Sequence, residues 1–213
     1  VSINPLITPS VSVSSSLGNR LCAGTSTTFT ATGTNGGTTP TYSWTVNGTP
    51  VASTATYAFV PVNGDEVKVT YTSSEVCASP VSVSGMITMT VIENLTPSVN
   101  ITVAPNDTVC QGSTVTFSAS ATNGGATPAY SWIVGGAIVP TATSSSYSYM
   151  PTNGQTVICK LNSSYECALA NDVSSNTITM RVEDLYIPEV SITANPGTVV
   201  EEGTEVPFTT TVA

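Results

Sequence analysis

The chain has 213 residues, 40% of them hydrophobic and only 8% charged; 13 acids against 4 bases give a net charge of −9, and there is no histidine. That balance excludes nucleic acid, whose phosphates need a basic footprint, and argues against anionic membrane surfaces. No apolar run approaches the ~20 residues of a spanning helix, so direct membrane insertion is not expected either.

Helical periodicity is absent. Short runs rich in Thr, Val, Ile and Tyr alternate with Gly, Pro and Asn-Gly punctuation, which predicts an all-β chain. Residues 1–8 read as the tail of a preceding repeat or its linker, since setting Pro9 on Pro97 places Ile3 on Val91. Strands are predicted near 10–16, 25–33, 40–47, 55–60, 65–73 and 85–92, then near 98–104, 113–121, 128–135, 145–150, 155–163 and 176–183. Short edge strands are placed at 50–52 and 137–139. Within the third strand Tyr42, Trp44 and Val46 share one face, as do Tyr130, Trp132 and Val134 in the later copy. Phe29 and Phe117 on the second strand would face those Trp rings, giving Trp44, Trp132, Phe29 and Phe117 as the core aromatics.

These segments are two copies of one unit. Cys22, Asn35-Gly36-Gly37 and Tyr42-Ser43-Trp44 recur as Cys110, Asn123-Gly124-Gly125 and Tyr130-Ser131-Trp132, each 88 residues on (110 − 22 = 88). Repetition at a domain-sized period means serial modules. The sequence predicts immunoglobulin-like β-sandwich domains at 9–95 and 96–186, and the start of a third, truncated repeat at 187–213. The linkers Glu93-Asn94-Leu95-Thr96-Pro97 and Glu183-Asp184-Leu185-Tyr186-Ile187-Pro188 contain no glycine and end in proline. They predict semi-rigid joints and an extended rod. Glu93, Asn94, Glu183 and Asp184 supply hard oxygen ligands there and are weak calcium candidates, because no Asp-x-Asp-x-Asp loop accompanies them. No other cofactor or metal is expected.

Five cysteines are present. Cys22 matches Cys110, and Cys77 matches Cys167. Cys159 has Val69 as its counterpart and is read as a buried free thiol. The first copy has one internal pair, Cys22–Cys77, and symmetry then gives Cys110–Cys167, in an oxidising compartment. Those positions fall at opposite ends of a standard sandwich, beyond the ~7 Å Cα limit of a disulfide. A loop folding back, a different topology, or a bond between neighbouring modules joining Cys22 to Cys167 would each resolve the conflict.

The combined string Cys-x-Gly, Thr-Phe-x-Ala, Asn-Gly-Gly-x-Thr-Pro-x-Tyr-Ser-Trp-x-Val, Asn-Gly and Ile-Thr-Met resembles the tandem immunoglobulin-like (PKD-like) repeats of Bacteroidota cell-surface adhesins. It is most similar to the gliding-motility adhesin repeat region. The resemblance covers 9–185 and, more weakly, 186–213. It implies export by type IX secretion, an extracellular cell-surface location, and a part in attachment or gliding. The chain departs from the pattern at Val69, where a cysteine is common, and at Glu201, where the third copy should carry its first cysteine. Asp107-Thr108-Val109 matches a short O-glycosylation pattern of these bacteria, which makes Thr108 a candidate glycan site.

An enzyme is not expected. Without histidine there is no Ser-His-Asp or Cys-His arrangement. The adjacent acids Asp65-Glu66, Glu183-Asp184 and Glu201-Glu202 point to opposite faces of a strand and do not flank one bond. The favoured reading is a non-enzymatic adhesin segment, a spacer or adhesive stalk whose partners are neighbouring repeats and surface polysaccharide. The alternative is a carbohydrate-binding or accessory module of a secreted polysaccharide-degrading enzyme. That would need exposed aromatics, whereas Tyr57, Phe59, Tyr147 and Tyr149 alternate like core residues.

Overall fold

The computed structural model describes residues 4–195, 199 and 201–212. Ile3, aligned above with Val91, lies outside the described residues, as do 196–198, 200 and 213 of the third copy. Among the described residues every regular element is a β-strand. The chain divides into two compact units: unit 1 is Val1–Ser98 with Ala121–Ala129 and Leu161–Val173, and unit 2 is Val99–Ser120, Tyr130–Lys160 and Ser174–Ala213.

The first copy contains β1 (Ser10–Ser15), β2 (Arg20–Cys22), β3 (Thr27–Thr34), β4 (Thr41–Val46), β5 (Thr49–Ala52), β6 (Thr56–Phe59), β7 (Glu66–Thr72), β8 (Ser82–Thr88) and β9 (Thr90–Ile92). One sheet has the order β1-β3-β6 and the other β5-β4-β7-β8, an immunoglobulin-like β-sandwich. After β1 the chain turns at Gly18, whose φ of 82° suits glycine, and crosses to the other side. There β2 runs parallel to β9, pairing Leu21 with Val91 and Cys22 with Ile92. This three-residue parallel strand is not among the predicted elements.

Period-two alternation sends Leu21, Phe29, Ala31, Trp44, Val67, Val69 and Met89 into one buried cluster. Trp44 is 0% exposed, and its indole Nε1 donates to the Thr54 carbonyl at 2.8 Å, so the ring is buried with its polar atom satisfied. Tyr71 is also buried, and its ring lies over Gly33 and Gly36, where any Cβ would overlap it.

The second copy contains β10 (Ser98–Ala104), β11 (Thr108–Cys110), β12 (Val115–Thr122), β13 (Ala129–Val134), β14 (Ala137–Val139), β15 (Ser146–Tyr149), β16 (Thr156–Asn162), β17 (Asp172–Ser174), β18 (Ile178–Thr179) and β19 (Arg181–Glu183). The sheet orders repeat as β10-β12-β15 and β14-β13-β16-β17, with β18 also on β16 and β11 parallel to β19. Trp132 is 0% exposed, donates to the Ser144 carbonyl at 2.9 Å, and packs against Phe117 at a ring separation of 6.0 Å. The last strand is interrupted between β17 and β18. There Ser175 caps the Cys159 amide, and the Asn176 side chain bonds both the amide and the carbonyl of Ile101. In the third copy β20 (Val190–Ala194) pairs antiparallel with β21 (Phe208–Val212).

On the sheet faces several hydroxyl side chains pair across strands. Ser10 meets Thr34 at 2.7 Å, Thr72 meets Ser82 at 2.8 Å and Thr116 meets Ser148 at 2.8 Å. Cross-strand Ser/Thr pairs stabilise a sheet modestly without any charge.

Candidate functional site

The chemistry-bearing residues gather where the linker at 93–97 meets the loop between β16 and β17, all within unit 1. The loop is positioned from below by the Asn-Gly-Gly turn. Asn123 and Gly125 both adopt positive φ (55° and 80°), which Asn and Gly tolerate. The turn then presents bare carbonyls to two serines. Ser163 Oγ donates to the Asn123 carbonyl at 2.9 Å, and the Ser164 amide donates to the Gly124 carbonyl at 2.9 Å. Glycine is required at 125 because a Cβ there would overlap Ser164 and the Tyr165 amide. The Asn123 side chain reaches the other way and donates to the Thr96 carbonyl at 3.0 Å. One turn therefore holds both the loop and the linker. The sequence predicts only a tight reversal there; Ser163-Ser164, recurring after Ser73-Ser74 at the same 90-residue offset as the second cysteines, is the signal for the rest.

On this platform the linker residue Leu95 makes a parallel bridge with Ala168. Its amide donates to the Cys167 carbonyl at 3.2 Å, and its carbonyl accepts from the Leu169 amide at 2.9 Å. Tyr165 Oη donates to the Glu93 carbonyl at 3.0 Å, while Asn94 Nδ2 donates to the Ala23 carbonyl at 2.9 Å. Across the same seam Arg20 binds Glu166 (Nη2 to Oε2, 2.8 Å). Both side chains are more than half exposed, so this pair adds orientation more than stability.

The covalent element is a disulfide between Cys22 and Cys167, with the two Cα atoms 5.5 Å apart. This corrects the favoured pairing within repeats. Cys22 is not bonded to Cys77, nor Cys110 to Cys167; Cys77, Cys110 and Cys159 are free thiols. The reason is the one that made the pairing awkward. Cys22 sits beside Ile92 at the end of β9, whereas Cys77 lies in the loop before β8 begins at Ser82. Ten residues of strand separate those ends, roughly 30 Å at ~3.3 Å per residue. Cys159 is 0% exposed, and burial pushes its thiol up to about 11, so it stays protonated and unreactive at neutral pH.

The other candidate residues remain apart from this seam. Asp65 is buried and accepts from Asn47 Nδ2 at 2.7 Å and from the Val62 amide at 2.9 Å, while Glu66 is exposed; the adjacent acids do not converge. Glu183 pairs with Arg181. Among the described residues no three His, Cys, Asp or Glu side chains come together, and none of the calcium candidates Glu93, Asn94, Glu183 and Asp184 belongs to such a group. Thr108 is exposed on β11, with its hydroxyl 3.3 Å from Asp107 Oδ1. Tyr57 stacks on Phe59 at 5.2 Å and Tyr147 on Tyr149 at 5.3 Å; all four are half-buried and offer no open aromatic platform. No helix among the described residues is long and apolar enough to cross a membrane.

No protein-family model matches the chain. No curated protein matches it either. Solved structures do. A Ca2+-stabilized adhesin with which an Antarctic bacterium reaches out and binds ice is 16% identical, with a TM-score of 0.50 over 90% of this chain and 52% of that one. A 1.5-MDa bacterial ice-binding adhesin, described for its retention on the host cell surface, is 15% identical, with a TM-score of 0.50 over 91% of this chain and 70% of that one. The chain thus spans about half the length of the first structure. At these identities the likeness is one of fold, and it places the chain in the class of immunoglobulin-like β-sandwich proteins.

Proposed function

We propose that the chain is a non-enzymatic segment of a large cell-surface adhesin, a semi-rigid spacer that holds an adhesive or motile element away from an extracellular surface. The observation that carries this reading is the seam. A disulfide, an ion pair and four hydrogen bonds (Leu95 with Cys167 and with Leu169, Tyr165 with Glu93, Asn123 with Thr96) fix the second copy's loop and turn to the first copy's end and linker. A hinge serving catalysis or ligand exchange would not be locked in this way, and a disulfide suits an oxidising exterior. The fold shared with adhesin structures, the lack of histidine and the uncharged hydroxyl faces point the same way. Gliding as the particular role, type IX export and polysaccharide as the surface met belong to this proposal and rest on the sequence resemblance.

The test is mechanical. Single-molecule stretching of the oxidised chain should give the contour length that the 22–167 bond allows, since residues between the two cysteines cannot extend. Reduction should release them. A contour length unchanged by reductant overturns the spacer reading, and specific retention of the fragment on a glycan array would favour the carbohydrate-binding alternative.

A further inference from the structure

The seam is built twice, and only one of the two is closed. At the first copy's far end, Ile7 makes a parallel bridge with Ala78, as Leu95 does with Ala168. The Ile7 amide donates to the Cys77 carbonyl at 2.9 Å, as the Leu95 amide does to Cys167; the Ile7 carbonyl accepts from Ser79 at 2.9 Å, as Leu95 does from Leu169. Asn35 Nδ2 donates to the Thr8 carbonyl at 2.7 Å, the counterpart of Asn123 on Thr96. Ser73 Oγ and the Ser74 amide hold the Asn35 and Gly36 carbonyls, each at 2.9 Å. Residues 7–8 therefore sit on the Cys77 loop as linker residues 95–96 sit on the Cys167 loop. In that arrangement Cys167 is bonded, whereas half-buried Cys77 is free.

The donor half is also duplicated. Cys22 is presented at the end of β2, parallel to β9, with the Ala23 amide bonded to Ile92 at 2.8 Å. Cys110 ends β11, parallel to β19, with the Gln111 amide bonded to Glu183 at 2.9 Å. Cys110 is exposed and free.

We propose that Cys77 and Cys110 are the open halves of a disulfide ladder that runs through every cysteine-bearing joint of the parent chain. Cys77 takes the first cysteine of a copy preceding it, the counterpart of Cys22, and Cys110 takes the second cysteine of the third copy, the counterpart of Cys167. Each rung forms by thiol–disulfide exchange. Two thiols lose two protons and two electrons, and a small-molecule disulfide oxidant takes them up as two thiols. The ladder stops after the third copy, because Glu201 occupies its first-cysteine position. The ion pair is not common to the joints: Val76 and Thr108 stand where Glu166 and Arg20 form it, so the cysteines and not the charge pair are the repeated device. The inference stands on repeat geometry and is independent of what the protein adheres to.

The experiment prefixes residues 1–88, with Cys77→Ser in the prefix alone, to the 213-residue chain, so that residues 1–8 become the linker between two first copies and every Cys77 peptide comes from the original chain. The protein is oxidised with oxidised glutathione and digested without reduction. Expected is a linked peptide joining the added Cys22 to the original Cys77, with one alkylatable thiol fewer than in a variant that also carries Cys77→Ser in the original chain, where the added Cys22 is left unpaired. The internal Cys22–Cys167 peptide in the same digest reports folding. Alkylation of Cys77 in a sample containing that internal link overturns the proposal, as does a Cys22–Cys77 link accompanied by alkylated Cys167, the mark of a bond within one repeat. Should the extended chain not fold, non-reduced mapping of the parent protein from intact cells decides between the same results. Stretching of the 213-residue chain tests the spacer reading separately, since it depends on the existing bond alone.

Discussion

The two copies solve the same packing problem with different side chains. In the first, β7 contributes Tyr71, which fits because β3 has Gly33 opposite and the following turn has Gly36. In the second, Leu161 and Ala121 occupy the places of Tyr71 and Gly33. Large-against-small has been redistributed, with total volume kept near constant, as close-packed cores demand. One strand position further in, Val69 is replaced by Cys159, both fully buried. Phe59 is replaced by Tyr149, whose hydroxyl is buried without a partner. The Asp65–Asn47 clamp gives way to Gln155, which accepts from the Thr152 amide at 3.0 Å. The Trp residues, the Asn-Gly-Gly turn and the paired serines do not vary. Core filling is thus exchangeable between copies, while the parts that set the sandwich centre and its end loops are fixed.

The most severe test of that division is truncation of the invariant rings. Trp44→Ala and Trp132→Ala should each cost ~3–5 kcal/mol, since each removes a fully buried indole. Calorimetry of the whole chain should show one transition falling and the other holding; equal loss from both would mean that the copies do not melt separately. The next largest effect concerns the exchange. Gly33→Ala should destabilise by about 2 kcal/mol through overlap with the Tyr71 ring. Adding Tyr71→Leu, which rebuilds the second copy's combination, should recover part of that loss in a double-mutant cycle; strict additivity would break the comparison.

Tyr149→Phe should stabilise the second copy by about 1 kcal/mol, because it removes an unpaired buried hydroxyl and restores the first copy's residue. A loss on denaturant unfolding would reveal a partner for that group. The smallest effect at neutral pH is Cys159→Val, expected within about 1 kcal/mol of the parent because it too restores the first copy's residue. Its signature lies at alkaline pH. Burial raises the folded thiol to about 11 from an ordinary value of 9.0, so the unfolded chain gives up its proton first. That contribution is present below pH 9 and is lost as pH rises towards 11. Buried Tyr71 and half-buried Tyr149 are raised in the same direction, first by desolvation of their hydroxyls. Cys159→Val should therefore flatten, without abolishing, the alkaline fall in the second copy's melting temperature.

Much of the sandwich was legible because its signals are local. Tyr42-Ser43-Trp44 and Tyr130-Ser131-Trp132 alternate over six-residue strands, and Asn-Gly-Gly marks a reversal wherever it occurs. The parallel strands β2 and β11 were not legible: three residues carry no usable period, and their partners lie some 70 residues away. The disulfide was half legible. Recurrence identified the cysteines, and the distance between sandwich ends identified the obstacle, but spacing along a chain does not say which loop faces which linker. For the same reason the sequence shows Asn123 only as a turn residue. Its φ follows from type, but the reach of its side chain to Thr96 depends on where the linker passes.

The hydroxyl pairs on the sheet faces have a consequence outside the fold. Ser10–Thr34, Thr72–Ser82 and Thr116–Ser148 do their work without charge, and the described residues contain only two ion pairs. Charge-paired surfaces are screened as ionic strength climbs, with a Debye length shrinking from ~10 Å at 0.1 M to ~3 Å at 1 M. Hydroxyl pairs of this kind are not weakened by such screening, so the cross-strand contacts should hold alike at low salt and at ~1 M.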